Sequence, residues 1–80
     1  MRDQIQEFLL NRVAEVFRVD AATLSLETSF VDDLKAKSAN LVQITTALED
    51  EYDVEIRYME FARKKTIGEA LDYVEALVEA

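Results

Sequence analysis

Phe30-Val31-Asp32-Asp33-Leu34-Lys35-Ala36-Lys37-Ser38-Ala39-Asn40-Leu41-Val42-Gln43-Ile44 passes from a polar connection into an amphipathic helix, and that change of pattern decides the fold. From Ser38 to Tyr52, Leu41, Ile44, Leu48 and Tyr52 share one face with Val42 and Thr45 beside it, the spacing of a helix with one buried stripe. Upstream, Val19 to Lys37 has no sustained period and is rich in cap and turn formers: Asp20, Thr23, Ser25, Thr28 and Ser29. A structureless stretch of that length is unusual in so small a domain. The apolar residues Leu24, Leu26, Phe30, Val31 and Leu34 are therefore expected to pin it across the core, with a short turn at Ser29–Leu34.

Working outward, Ile5, Phe8, Leu9, Val13, Val16 and Phe17 recur at three- and four-residue spacing and predict a first helix, with Asp3 as its cap. Past Tyr52, Val54, Ile56, Tyr58, Met59 and Phe61 form an apolar connection with a turn or two of helix near Met59–Arg63. The basic run Arg63-Lys64-Lys65 reads as a solvated loop. Thr66-Ile67-Gly68-Glu69 is a capping box, and it opens a last helix whose Ile67, Ala70, Leu71, Val74, Leu77 and Val78 keep the period to the end. Three longer helices and one short one predict an all-α protein. The expected form is a small four-helix bundle over residues 1–80, one domain and one core, with a long loop between the first and second helices.

Composition agrees. Eighty residues hide only about 60% of the unfolded surface, and with no Cys or His there is no disulfide, thiolate zinc site or imidazole ligand to help. A 50% hydrophobic content must supply the stability. One Gly and no Pro disfavour a hairpin-rich sheet. No apolar run approaches the roughly 20 residues that span a bilayer, and the start lacks a secretory apolar segment, so a cytoplasmic protein without stable membrane insertion is expected. A Met1 start without linker-like ends reads as a free-standing chain, not a piece of a multidomain synthase.

The net charge of −8 argues against a nucleic-acid partner. It is uneven: residues 1–37 carry seven acids and five bases, residues 38–80 ten acids and four bases. Glu49, Asp50, Glu51 and Asp53 crowd the end of the second helix, where the helix dipole disfavours them. Without His or Cys, Ser–His and Cys–His nucleophile pairs are excluded. There is no glycine-rich phosphate loop and no EF-hand spacing, so no catalytic or metal site is expected. The hydroxyl of Ser38 has two uses. As an N-cap it accepts from the backbone near Leu41, worth about 1 kcal/mol. As a modified residue it places an anion at a helix N-terminus, where free N–H groups and the dipole favour it and Lys37 and Lys35 add charge-assisted contacts.

Phe30-x-x-Asp33-Leu34, Ser38, Val42, Ile44, the run Ala47-Leu48-Glu49-Asp50-Glu51-Tyr52-Asp53-Val54-Glu55-Ile56, Thr66-Ile67-Gly68-Glu69-Ala70 and Tyr73-Val74 together resemble an acyl carrier protein. The resemblance implies that Ser38 carries 4′-phosphopantetheine derived from coenzyme A. It further implies a non-catalytic, monomeric carrier of thioesters whose partners are a phosphopantetheinyl transferase and acyl-processing enzymes. The arm supplies the thiol that the polypeptide lacks. Phe30, Leu34, Ile44, Leu48, Ile56, Phe61, Ile67 and Leu71 are the residues expected to shelter an acyl chain between helices, with an ordinary core as the alternative.

The chain departs from the family pattern around the serine. Lys35 stands where Gly is usual, Lys37 where Asp is, Ala39 where Leu is, and Asn40 and Gln43 where acids are usual. Ala39, Asn40, Val42, Gln43, Glu49 and Asp50 are the expected partner-binding residues. The altered set implies dedicated partners in a specialised lipid or secondary-metabolite pathway. The competing reading is a helical interaction module that keeps the bundle without the arm.

Overall fold

The computed structural model describes residues 2–80. Helix α1 spans Arg2–Phe17, α2 Ser38–Tyr52, α3 Tyr58–Ala62 and α4 Ile67–Glu79, with a single 3-10 turn at Ala21–Thr23. Among the described residues there is no strand, only an isolated antiparallel bridge between Ser29 and Thr66. The all-helical bundle and its long first connection are as the apolar periods predict. Asp3 is not a cap; it lies inside α1, in the first turn, where its charge still suits the dipole.

Each long helix buries the stripe its sequence carries. Ile5, Leu9 and Val13 of α1 meet Ile44 and Leu48 of α2 and Ile67, Ala70, Leu71 and Val74 of α4 in one core, closed by Phe30, Ile56 and Phe61. Helix α1 packs on both α2 and α4, and α3 packs on α2. The Phe30 and Phe61 rings lie 6.0 Å apart and tilted, joining the long connection to α3. At the opposite end Phe8 meets Tyr52 edge to face at 5.8 Å. Arg2 clasps α1 to α4 through Asp72 at 2.9 Å and Glu75 at 2.8 Å, which together raise its pKa above the ordinary guanidinium value.

The connection from α1 to α2 is ordered by backbone bonds. Asp20 accepts from the Ala22 N–H and caps the 3-10 turn. Leu26 O and Thr28 O accept from the N–H groups of Gly68 (2.8 Å) and Ile67 (3.0 Å), and Phe30 N–H donates to Lys65 O (3.0 Å). Gly68 makes this approach feasible, because a Cβ there would stand 2.9 Å from Leu26 O. A turn of helical pitch follows, with Asp33 and Leu34 donating to Ser29 O. It buries Phe30 and half-buries Leu34 but turns Val31 outward, 66% exposed. The expectation that Val31 anchors the loop is corrected on this point: it lies on the solvent side of that turn.

Three non-glycine residues take the left-handed conformation: Arg18, Lys35 and Asp53. Arg18 ends α1, with Val19 N–H reaching back to Ala14 O at 3.0 Å; Asp53 ends α2, its N–H on Glu49 O at 2.9 Å. Lys35, at φ 55°, ends the 30–34 turn and lets Ala36 N–H reach Phe30 O at 2.8 Å. That conformation costs a side-chain-bearing residue about 1–2 kcal/mol.

Two substitutions test this backbone. Gly68→Ala gains helix propensity but forces Leu26 away, and a net loss of about 1–2 kcal/mol is expected in urea unfolding. A more stable variant would contradict the close approach. Lys35→Gly relieves the left-handed lysine and is expected to raise stability by about 1 kcal/mol in the same assay. A loss would show that the lysine side chain holds the turn.

Candidate functional site

The site is the junction of the 30–34 turn with α2. Ser38 is the first residue of α2, not its cap; Lys37 holds the cap position with extended backbone. Lys37 O accepts from the N–H groups of Asn40 and Leu41, and Asn40 Oδ1 accepts in return from Lys37 N–H at 2.9 Å. The Asn40 side chain therefore does the fixing that was expected of the Ser38 hydroxyl. Ser38 is exposed, and its hydroxyl takes part in none of the hydrogen bonds among the described residues. The first N–H groups of a helix lack intrahelical acceptors, so the serine oxygen sits beside donors at the positive end of the dipole. Lys35 and Lys37 are exposed on the same junction and form no ion pair among the described residues. An exposed, unbonded hydroxyl on a fixed helix start, with two cations near it, fits a phosphodiester-linked group.

The expected partner-binding residues divide. Ala39, Val42, Gln43 and Asp50 are exposed. Asn40 is half-buried and engaged in the cap just described. Glu49 is also half-buried, its carboxylate accepting from Ile56 N–H at 2.8 Å, which ties the α2–α3 connection to α2. Val42, Gln43 and Asp50 line an open groove of about 560 Å³ between α1 and α2, facing Phe8, Arg12 and Val16. The contribution of α1 was missed, although Phe8, Arg12 and Val16 fall four residues apart and so share a face. In this groove the Arg12 guanidinium lies 5.5 Å from the Phe8 ring centroid. Tyr52, at the far end of α2, has its phenol pKa raised by burial first and by Glu51 second.

Of the residues expected around an acyl chain, Phe30, Ile44, Leu48, Ile56, Phe61, Ile67 and Leu71 are buried together in the core, and Leu34 is half-buried against it. The α1–α2 groove is lined by none of them. They pack on one another, and Phe61 brings α3 into that contact.

The α4 start is joined to the connection that leads into the site, through the Ser29–Thr66 bridge and the Phe30 N–H on Lys65 O. Thr66 Oγ1 accepts from Glu69 N–H at 3.2 Å, as the capping box predicts. The returning arm differs, for Glu69 Oε1 accepts from Lys65 N–H (3.1 Å) instead of the cap residue's own N–H. No helix among the described residues is long and apolar enough to cross a membrane.

The family described as "Phosphopantetheine attachment site" matches residues 7–74. An acyl carrier protein of Clostridium acetobutylicum is 34% identical over 67 residues, which cover 84% of this chain and 87% of that protein. The match takes in the loop, the whole of α2 and most of α4, so the exposed serine junction lies inside it. The chain belongs to the acyl carrier protein family, whose members are non-catalytic carriers with a covalent 4′-phosphopantetheine group.

Proposed function

We propose that Ser38 is the attachment residue and that this carrier serves a specialised lipid or secondary-metabolite pathway, its cargo held as a thioester on the arm. The observation that carries the first part is the free Ser38 hydroxyl on the first residue of α2. In loading, Ser38 Oγ bonds to the phosphorus that bears the pantetheine, the P–O–P bond of the coenzyme A diphosphate breaks, the adenosine-bearing phosphate leaves, and the hydroxyl proton passes to a base on the transferase. The new phosphodiester then lies beside the unpaired N–H groups of the helix start, with Lys37 and Lys35 as its cationic neighbours. The thiol at the end of the arm performs the acyl chemistry, and the polypeptide positions it.

The specialised pathway is supported by the residues around that oxygen. Lys35, Lys37, Ala39 and Gln43 replace the family's usual types at exposed positions, where a partner meets them. Asn40, the fifth departure, has a local explanation in the Lys37 cap. A transferase adapted to an acidic rim meets repulsion at Lys37, and like charges at an interface slow encounter.

An acyl chain on the arm is proposed to enter between the helices, among Phe30, Leu34, Ile44, Leu48, Ile56, Phe61, Ile67 and Leu71. Space there comes from displacement of α3. Its five residues are too few to hold a helix alone, and burial of Phe61 together with the Glu49–Ile56 bond keep the segment in place. The protein works as a monomer in this reading, and it resides in the cytoplasm.

Intact-mass measurement after incubation with coenzyme A and a panel of transferases tests the attachment. One added phosphopantetheine is expected on the native chain and none on Ser38→Ala; no addition with any transferase would favour the unmodified interaction module. In the same assay Lys37→Asp is expected to load faster than the native chain with a generic transferase. An unchanged or slower rate would remove the charge argument for a dedicated partner.

A further inference from the structure

The nine cations of this chain are not spread over it. Lys35, Lys37, Arg63, Lys64 and Lys65 are five of them, and they fall in two segments that the fold brings together. Phe30 is the hinge of that contact: its N–H donates to Lys65 O, and its own carbonyl accepts from Ala36 N–H, between Lys35 and Lys37. The Ser29–Thr66 bridge extends the junction by one residue. Residues 26–38 and 63–69, the stretches these bonds join, together hold these five cations against four carboxylates, Glu27, Asp32, Asp33 and Glu69, for a net of +1. The rest of the chain has four cations and thirteen carboxylates, a net of −9.

The local carboxylates do little to neutralise the cations. Asp33 accepts from Ser29 N–H at 2.7 Å and Glu69 from Lys65 N–H at 3.1 Å, so both are engaged with backbone. Lys64 stands 5.3 Å over the Tyr73 ring. Lys35, Lys37, Arg63 and Lys65 have no ion-pair partner among the described residues, although the chain has nearly twice as many acids as bases. Val31, in the same 26–38 stretch as Lys35 and Lys37, is 66% exposed.

We propose that this cationic rim, running from Lys35 and Lys37 across to Arg63 and Lys65 at the Ser38 end of the molecule, is a docking surface for a protein partner whose complementary face is rich in carboxylates. The proposal rests on the carrier reading for one point only, that the partner is an enzyme that handles the group on Ser38. A molecule whose joined segments carry +1 against −9 on the rest of the chain is oriented by an acidic target before contact, cationic segments first. An anionic bilayer is the weaker match. It is a broad plane, and over a body of 30 × 24 × 19 Å it would repel the acidic remainder within about a Debye length, ~8 Å at physiological salt. A discrete carboxylate patch meets the rim without facing that remainder.

The test uses the full chain, labelled with nitrogen-15, and two probes: a decaglutamate peptide and phosphatidylglycerol vesicles. With the peptide at low salt, amide shifts are expected at 35–38 and 63–66 and not at 49–53, fading at about 0.15 M salt as screening sets in. Lys35→Glu/Lys65→Glu is expected to weaken the peptide about tenfold, while its circular dichroism and unfolding midpoint report that the bundle is intact. Shifts that are absent, that spread evenly, or that survive the double reversal would overturn the proposal. So would vesicle binding without peptide binding, which would assign the rim to lipid. Loading of Ser38, read by mass, is independent of all these outcomes, so failure of the rim and failure of the carrier reading are told apart.

Discussion

Docking of the α1–α2 connection onto the start of α4 is the constraint on which the rest of the molecule depends. The N–H groups of Ile67 and Gly68 belong to the first turn of α4 and have no acceptor within the helix. Thr28 O and Leu26 O supply those acceptors, and Lys65 O takes the Phe30 N–H in exchange. Three bonds therefore satisfy two otherwise unpaired helix donors and order a segment that has no periodic structure of its own. They also drive Phe30 into the core against Phe61, which closes the bundle on that side. Because Phe30 O then accepts from Ala36 N–H, the chain is fixed two residues short of Ser38. The serine is presented by a rigid helix start and not by a loose loop.

This placement explains a division of labour around the serine. Asn40 closes the cap with its side chain, so the Ser38 hydroxyl is left free for chemistry. Glu49 holds the next connection through Ile56 N–H, while Asp50 and Glu51 of the same acidic run face the α1–α2 groove. The acidic end of α2 thus combines a structural carboxylate with exposed ones. Glu49 to Glu51 lie eleven to thirteen residues along the helix from Ser38, about 16–20 Å at 1.5 Å per residue, so the two poles meet different regions of any partner.

Periodicity made much of this legible. The stripe Leu41, Ile44, Leu48, Tyr52 placed α2 at its observed ends, and Thr66 placed α4, because an apolar face and a cap are local signals. The parts that could not be read depend on contacts distant in the chain or on fine backbone geometry. Val31 was assigned inward by residue type, but the helical pitch of the 30–34 turn carries it outside. Propensity offers Ser38 as a cap, one of the two uses of its hydroxyl, but Asn40 two residues on does that work with Lys37 in the cap position. Residue type and position mark Glu49 as a partner-binding charge at an unfavourable dipole end; its acceptor role exists only because the chain doubles back to Ile56. Burial of Phe30, Ile44, Leu48, Ile56, Phe61, Ile67 and Leu71 followed from their spacing, whereas spacing carries no information on whether such residues enclose a space or pack on each other.

Native-state hydrogen exchange at Phe30, Ile67 and Gly68 tests most directly whether the serine is positioned by a docked connection. These three amides are the donors of the bonds between the connection and the 65–68 segment, and their protection is expected to match that of core amides in α1 and α4, opening only with the whole bundle. Exchange at the rate of a free loop, with the α4 core still protected, would contradict the account.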